Sequence, residues 1–275
     1  MKYATGMNYI RTEALPHMWC PGCGNGITVK AIACALENLE LDPRKVVMVS
    51  GIGCWGKADD YFTCNALHTT HGRALAYASG VKSANPELTV VVLMGDGDGT
   101  TIGGNHLLHA ARRNMDLTAV LVNNYNYGMT GGQASATTPH DAFTSTSVLG
   151  NPERSVDICD LATVAGANYV ARETVTQGTR LSKRIQEGIS NKGFSIIEVA
   201  SPCTTLFGPR NKMRQPVDMF RWLKEKGVSE TKFKKIENAA EQGYFKVGKF
   251  VEHDDPDFNT SYETMRSRLN QKEGK

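Results

Sequence analysis

Short, densely apolar runs alternate along this chain with stretches whose apolar residues recur at helical spacing. Residues 46–50, 90–94, 118–122 and 194–200 are apolar at nearly every position, as strands buried on both sheet faces are. Residues 27–39, 68–84, 104–113, 156–165 and 177–191 carry the helical period, and 169–171 reads as a further short strand. Strand, helix and strand in succession predict an α/β fold with a central, largely parallel sheet flanked by helices. Residues 1–26 have no period and read as an arm and loop. Residues 125–155 are aperiodic and rich in glycine, threonine, proline and serine. A structureless stretch that long inside a compact domain signals function or a partner surface. Residues 1–203 therefore form the main domain, and the more polar 204–275 a C-terminal extension. Phe220, Trp222 and Leu223, set among charges, predict an amphipathic segment there that packs on the body or on a partner.

Candidate chemistry gathers where the apolar runs stop. Gly95-Asp96-Gly97-Asp98 closes one predicted strand, and Asn123-Asn124 closes a later one. In a parallel sheet, ligands collect beyond the carboxyl ends of the strands. An acid and an amide delivered to that edge suit Mg²⁺, which keeps few protein ligands and takes the rest from phosphate. Such a layout predicts a diphosphate-cofactor site. Asp98 has a second reading as a plain turn residue capping the next helix.

Four of the seven cysteines also sit at element ends. Cys20-Pro21-Gly22-Cys23 aims two sulfurs one way from a glycine-bearing loop, and Cys54 and Cys203 each follow a predicted strand. Together they could hold Zn²⁺ or a 4Fe–4S cluster. A thioredoxin-like dithiol at 20 and 23 is the plainer alternative, though no pattern for that fold surrounds the pair. Cys34 and Cys159 lie within helical periods and read as core residues, and Cys64 as structural. His68 and His71 are expected one turn apart on a single helix face, where a neutral imidazole meets substrate or cofactor.

A formal charge of +3 and the lack of a long basic tract exclude a nucleic-acid binder. No apolar run is long enough for a membrane span, and no apolar signal core opens the chain, so the expectation is a cytoplasmic protein. Disulfides are then not expected of the cysteines.

The motifs Trp19-Cys20-Pro21-Gly22-Cys23-Gly24, Gly51-Ile52-Gly53-Cys54 and His68-Thr69-Thr70-His71-Gly72-Arg73 follow one another in order. They continue with Gly95-Asp96-Gly97-Asp98, His106, 109–114, Asn123-Asn124, 127–133 and Ser201-Pro202-Cys203. In this order the chain resembles the beta, thiamine-diphosphate subunit of 2-oxoacid:ferredoxin oxidoreductases over about residues 15–210, particularly the 2-oxoglutarate branch. The resemblance implies the thiamine-diphosphate-binding fold. It implies one 4Fe–4S cluster on Cys20, Cys23, Cys54 and Cys203, and Mg²⁺ on Asp96, Asn124 and the main-chain carbonyl of Asn126. Asn126 itself departs from the family, which has a less polar residue there.

Gly53, Cys54, His71, Gly95, Gly97, Asp98, Gly128, Met129 and Thr130 would complete the cofactor site. Lys57, His68 and His71 are the candidate catalytic and substrate-facing set. Lys57 would meet the distal carboxylate of 2-oxoglutarate, and Gly131, where relatives of pyruvate type carry lysine, would leave room for it. The pyrimidine ring of the cofactor also needs a buried acid. None of Glu13, Glu87, Glu153 or Glu198 is placed for it, and Glu198 reads as a strand residue facing solvent or a helix. The resemblance assigns that glutamate to an alpha subunit, making a heterodimer or a dimer of heterodimers.

The implied reaction is oxidative decarboxylation of a 2-oxoacid to its acyl-CoA, with coenzyme A as co-substrate and ferredoxin as electron acceptor, or its reductive reverse. Pyruvate or branched-chain 2-oxoacids are alternative substrates. A non-oxidative thiamine decarboxylase subunit and a non-catalytic Cys₄ metal protein are alternative readings.

Overall fold

The computed structural model describes residues 5–273. The first four residues of the expected arm and the last two of the extension lie outside them. The helices are α1 Asn25–Asn38, α2 Ala74–Ala84, α3 Gly104–Arg112, α4 Ile158–Val164, α5 Gly178–Ser190, α6 Phe207–Arg210, α7 Pro216–Lys226, α8 Glu230–Phe233 and α9 Phe258–Glu273. The strands are β1 Val46–Ser50, β2 Asn65–His68, β3 Thr89–Gly95, β4 Thr118–Asn123, β5 Tyr169–Thr174, β6 Ser195–Ala200, β7 Gly227–Ser229 and β8 Phe245–Glu252. They form one eight-stranded sheet in the order β2-β1-β3-β4-β6-β5-β8-β7. The first six strands are mutually parallel, and β8 runs antiparallel to β5.

The alternation along β3 shows why the apolar runs are continuous. Val91 and Leu93 join a core beneath α1, α5 and α7, while Val90, Val92 and Met94 join a second core beneath α2, α3 and α4. Successive side chains point to opposite faces, and both faces are covered. Register then fixes the site: Ser50 pairs with Leu93 and His68, Gly95 with Val122, and Asn123 with Ala200. The strand ends therefore reach one edge at a common level.

Two expectations change. The helix predicted from residue 68 starts at Ala74, because His68 ends the edge strand β2 and Gly72 turns the chain at φ 70°. His68 and His71 are consequently not neighbours on a helix face. The extension beyond residue 203 also joins the sheet through β8 and β7. In α7, Met219 and Leu223 are fully buried, and Trp222 packs against Tyr125 and Phe245. No helix among the described residues is long and apolar enough to cross a membrane.

Glu198 does not face solvent. On adjacent strands Arg172 and Glu198 are directly paired, and both are buried. Arg172 Nε donates to Glu198 Oε2 at 2.7 Å, and Arg172 Nη2 to Asp157 Oδ1 at 2.8 Å. Asp157, Cys159 and Glu198 present ligand atoms close enough to hold a metal, but the guanidinium already occupies the carboxylates. Arg172→Met should cost about 3–5 kcal/mol, because it strands buried charge without a partner. Urea unfolding of the variant measures it.

Candidate active site

Asp96 is the first residue beyond β3 and is almost wholly buried. Its Oδ2 accepts from Ser135 Oγ at 2.5 Å and Thr137 Oγ1 at 2.7 Å, and its Oδ1 lies 3.5 Å from the Asn124 amide nitrogen. Burial pushes the Asp96 carboxyl up to about 6 against the pull of those donors. The chain then makes a wide π-helical turn over Gly97–Ile102, pinned where Tyr127 Oη donates to the Gly97 carbonyl at 3.1 Å. Asp98 lies buried in this turn, makes no cap, and accepts from the Gly72 amide at 2.6 Å and pairs with His71 Nδ1. A Cβ on Gly51 would stand 1.8 Å from Asp98 Oδ2, so only glycine leaves this carboxylate its place.

At the end of β4, Asn124 and Asn126 flank Tyr125, which holds φ 66°, a region that bulky residues rarely enter. Three contacts keep it there. Its amide donates to Asn123 Oδ1 at 3.1 Å, its carbonyl accepts from Thr138 Oγ1 at 2.7 Å, and its ring is packed by Phe207 and Trp222. The inward atom of the Asn124 amide lies 2.7 Å from the Asn126 carbonyl oxygen and 3.2 Å from Asp96 Oδ1. With nitrogen inward, Asn124 donates to both. With oxygen inward, the Asn124 amide oxygen faces one oxygen of Asp96 and one of Asn126 at those distances, close to the ~3 Å separation of adjacent ligands around an octahedral Mg²⁺ with bonds near 2.1 Å. The donor set fits that ion.

One cavity is lined by Gly53, Cys54, His71, Gly95, Asp96, Gly97, Asp98, Asn124, Asn126, Gly128, Met129 and Thr130, with Ile52, Trp55, Val122 and Tyr127 completing its wall. Neither Lys57 nor His68 is among its lining residues. Lys57 Nζ lies 3.0 Å from Asp60, whose carboxylate raises the lysine's pKa. His68 Nδ1 meets Ser50 Oγ at 2.9 Å and Asp59 Oδ2 at 3.4 Å. No glutamate lines the cavity among the described residues.

A second cavity of about 370 Å³ is lined by Cys20, Cys23, Cys54 and Cys203, and shares Cys54, Asn124, Gly128 and Met129 with the first. Trp19 Nε1 donates to the Cys54 carbonyl at 2.6 Å, and Thr204 Oγ1 to the Pro21 carbonyl at 3.0 Å, so three cysteine-bearing loops are tied together. Burial, reinforced by the neighbouring thiols, pushes Cys23 up to about 12 and Cys54 up to about 11. Among the described residues, no three of these sulfurs lie within 4.8 Å of one another. Tetrahedral Zn²⁺, with bonds of about 2.3 Å, needs sulfurs about 3.8 Å apart. A cluster whose four irons each take one cysteine tolerates wider spacing. Cys64 and Cys159 are buried elsewhere.

Sequence reasoning missed Ser135 and Thr137, and named Asn123 without seeing that it braces the turn. Thr137 Oγ1 reaches Asn123 Oδ1 at 3.1 Å as well as Asp96, and Asn123 Nδ2 donates to Glu198 Oε1 at 2.9 Å. The buried Arg172–Glu198 pair thus supports the turn carrying Asp96 and Asn124. The only local signal was the run of hydroxyls at Ser135-Ala136-Thr137-Thr138.

Parallel strand ends, a glycine-framed acid and an adjacent amide turn define the class: a thiamine-diphosphate-binding α/β protein. The family model described as "Thiamine pyrophosphate enzyme, C-terminal TPP binding domain" matches residues 51–199. The chain is 44% identical over 269 residues to the 2-oxoglutarate synthase subunit KorB of Methanothermobacter thermautotrophicus, covering 98% of this chain and 93% of that one. It is 51% identical over 218 residues to KorB of Archaeoglobus fulgidus, covering 79% of each. Its fold is similar to a chain of the 2-oxoglutarate:ferredoxin oxidoreductase of Magnetococcus marinus, solved with 2-oxoglutarate, coenzyme A and succinyl-CoA bound. The TM-score is 0.86 at 30% identity, covering 98% of this chain and 92% of that one. The chain belongs to the beta subunits of the thiamine-diphosphate-dependent 2-oxoacid:ferredoxin oxidoreductases, and is part of an enzyme.

Proposed function

We propose that this chain is the cofactor-bearing subunit of an enzyme that converts 2-oxoglutarate and coenzyme A to succinyl-CoA and carbon dioxide, passing two electrons to ferredoxin. The observation that carries this reading is the wall common to the two cavities. Cys54, Asn124, Gly128 and Met129 border both, so a cluster on the four cysteines would stand directly beside a cofactor held at Asp96. Thiamine diphosphate supplies the electron sink for decarboxylation, and a 4Fe–4S cluster supplies one-electron steps. The chain's own residues do the rest. Asp96, Asn124 and the Asn126 carbonyl would hold Mg²⁺, and Asp98 fixes the Nδ1 side of His71 at the cavity wall. Tyr127 and the glycines of the turn keep the diphosphate pocket open.

A non-oxidative decarboxylase would leave the four converging cysteines without use, and a Cys₄ metal protein would leave the Asp96–Asn124 turn without use. The visible spectrum of anaerobically purified protein separates these readings. Broad absorbance bleached by dithionite, together with bound thiamine diphosphate, supports the oxidoreductase; its absence removes that reading. With no glutamate at the cofactor cavity, the chain alone should not reduce viologen with 2-oxoglutarate, and adding an alpha subunit should restore turnover. Substantial turnover by the lone chain would refute the need for a partner.

The 2-oxoglutarate preference is supported by the names of the KorB relatives, and Lys57, outside the lining of both cavities, is the counter-charge assigned to that substrate. Lys57 would exchange Asp60 for the distal carboxylate, a charge-assisted hydrogen bond that pyruvate cannot make. Lys57→Met should raise KM for 2-oxoglutarate about tenfold while changing that for pyruvate little. Equal loss on both substrates would assign the carboxylate to another residue.

A further inference from the structure

Asn126 is buried in the wall of the first cavity, and its side chain has a fixed direction. Nδ2 donates to the main-chain carbonyl of Asn124 at 2.8 Å, an atom that can only accept. Turning the amide over would set two oxygens against each other at that distance, so the orientation is locked. The carbonyl end is thereby aimed at Cys203, whose Sγ stands 3.8 Å from Oδ1. In the thiol form Cys203 donates a weak hydrogen bond to that oxygen. In any ligand role it is a thiolate with no proton to give, and it then faces the negative end of an amide dipole in a site of low polarity.

We infer that Asn126 sets the reduction potential of the cluster through Cys203, holding it low, an inference that rests on the cluster assignment proposed above. Reduction adds one electron to a group whose charge is already negative. A partial negative charge against a ligand sulfur disfavours that electron, just as a hydrogen-bond donor there would favour it. The residue is a positioning and tuning group: it touches a ligand of the cluster and takes no part in bond making. Its effect is to make the reduced cluster a stronger reductant toward ferredoxin.

The test is an anaerobic redox titration of the purified protein followed by the paramagnetic signal of the reduced cluster, with iron and sulfide measured on the same samples. Asn126→Leu and Asn126→Val both remove the dipole while keeping the main-chain carbonyl. Both should retain four irons and shift the midpoint to more positive potential. An unchanged or more negative midpoint in either iron-loaded variant overturns the inference. Loss of iron from both would make Asn126 a structural prop, which overturns it as well. Wild-type protein that binds no iron would instead remove the cluster assignment itself, and the inference with it.

Discussion

Replacing any one of Cys20, Cys23, Cys54 or Cys203 by serine should abolish the cluster or leave it labile enough to be lost on purification. The four thiols come from three separate loops yet face one cavity, and burial keeps Cys23 and Cys54 protonated at neutral pH when nothing is bound. Grouping half-buried thiols this way is costly unless a metal takes the protons' place. Serine preserves shape but is a poor ligand for iron, so the loss should appear as iron and sulfide content falling well below four per chain. Cys64→Ser is the matched control: its burial likewise pushes it up to about 12, but it lies in the apolar core away from the cavity. That variant should keep its iron at a modest packing cost. Full iron content in any of the four cavity variants would strike that residue from the ligand set.

The legible parts of this molecule were those in which chemistry follows directly on an apolar run. Asp96, Asn124 and Cys203 all stand just beyond β3, β4 and β6, and parallel register alone carries such positions to one edge. The turn from His68 to Arg73 misled because β2 is a four-residue, largely exposed edge strand with no apolar run to announce it. Small residues downstream extended the helical pattern backwards across it. Glu198 was half legible: it is a strand residue facing a helix, as one of its two readings had it, but its ion pair was not foreseen. Its partner Arg172 is set opposite it only when β5 and β6 pair, a contact between segments 26 residues apart that no local period reports. Ser135 and Thr137 were hidden inside 125–155, where aperiodicity marked function without saying which residues performed it. The strands of the extension were masked by their polarity: β8 is only half-buried along its length.

Asp96→Ala should remove Mg²⁺-dependent thiamine diphosphate binding while leaving the cluster in place. Asp96 is the one carboxylate of the oxygen set, since Asn124 and the Asn126 carbonyl are neutral, and it carries the protein's charge toward the ion. Loss of supporting groups around a metal typically lowers affinity 10–100-fold, so loss of the charged ligand should exceed about 100-fold. The fold itself should survive. Desolvation makes the Asp96 carboxylate a cost to the cofactor-free chain, and its hydroxyl partners Ser135 and Thr137 still have each other and Asn123. What disappears is the stabilisation that a bound ligand confers by mass action. Wild-type protein should gain thermal stability on adding Mg²⁺ and thiamine diphosphate together, and Asp96→Ala should gain none while keeping its iron. Calorimetric titration gives the affinity directly. Wild-type affinity in the variant would place the metal elsewhere. Iron lost along with the cofactor would mean instead that the Asp96 turn is required to shape the cysteine cavity, through the wall formed by Asn124 and Gly128.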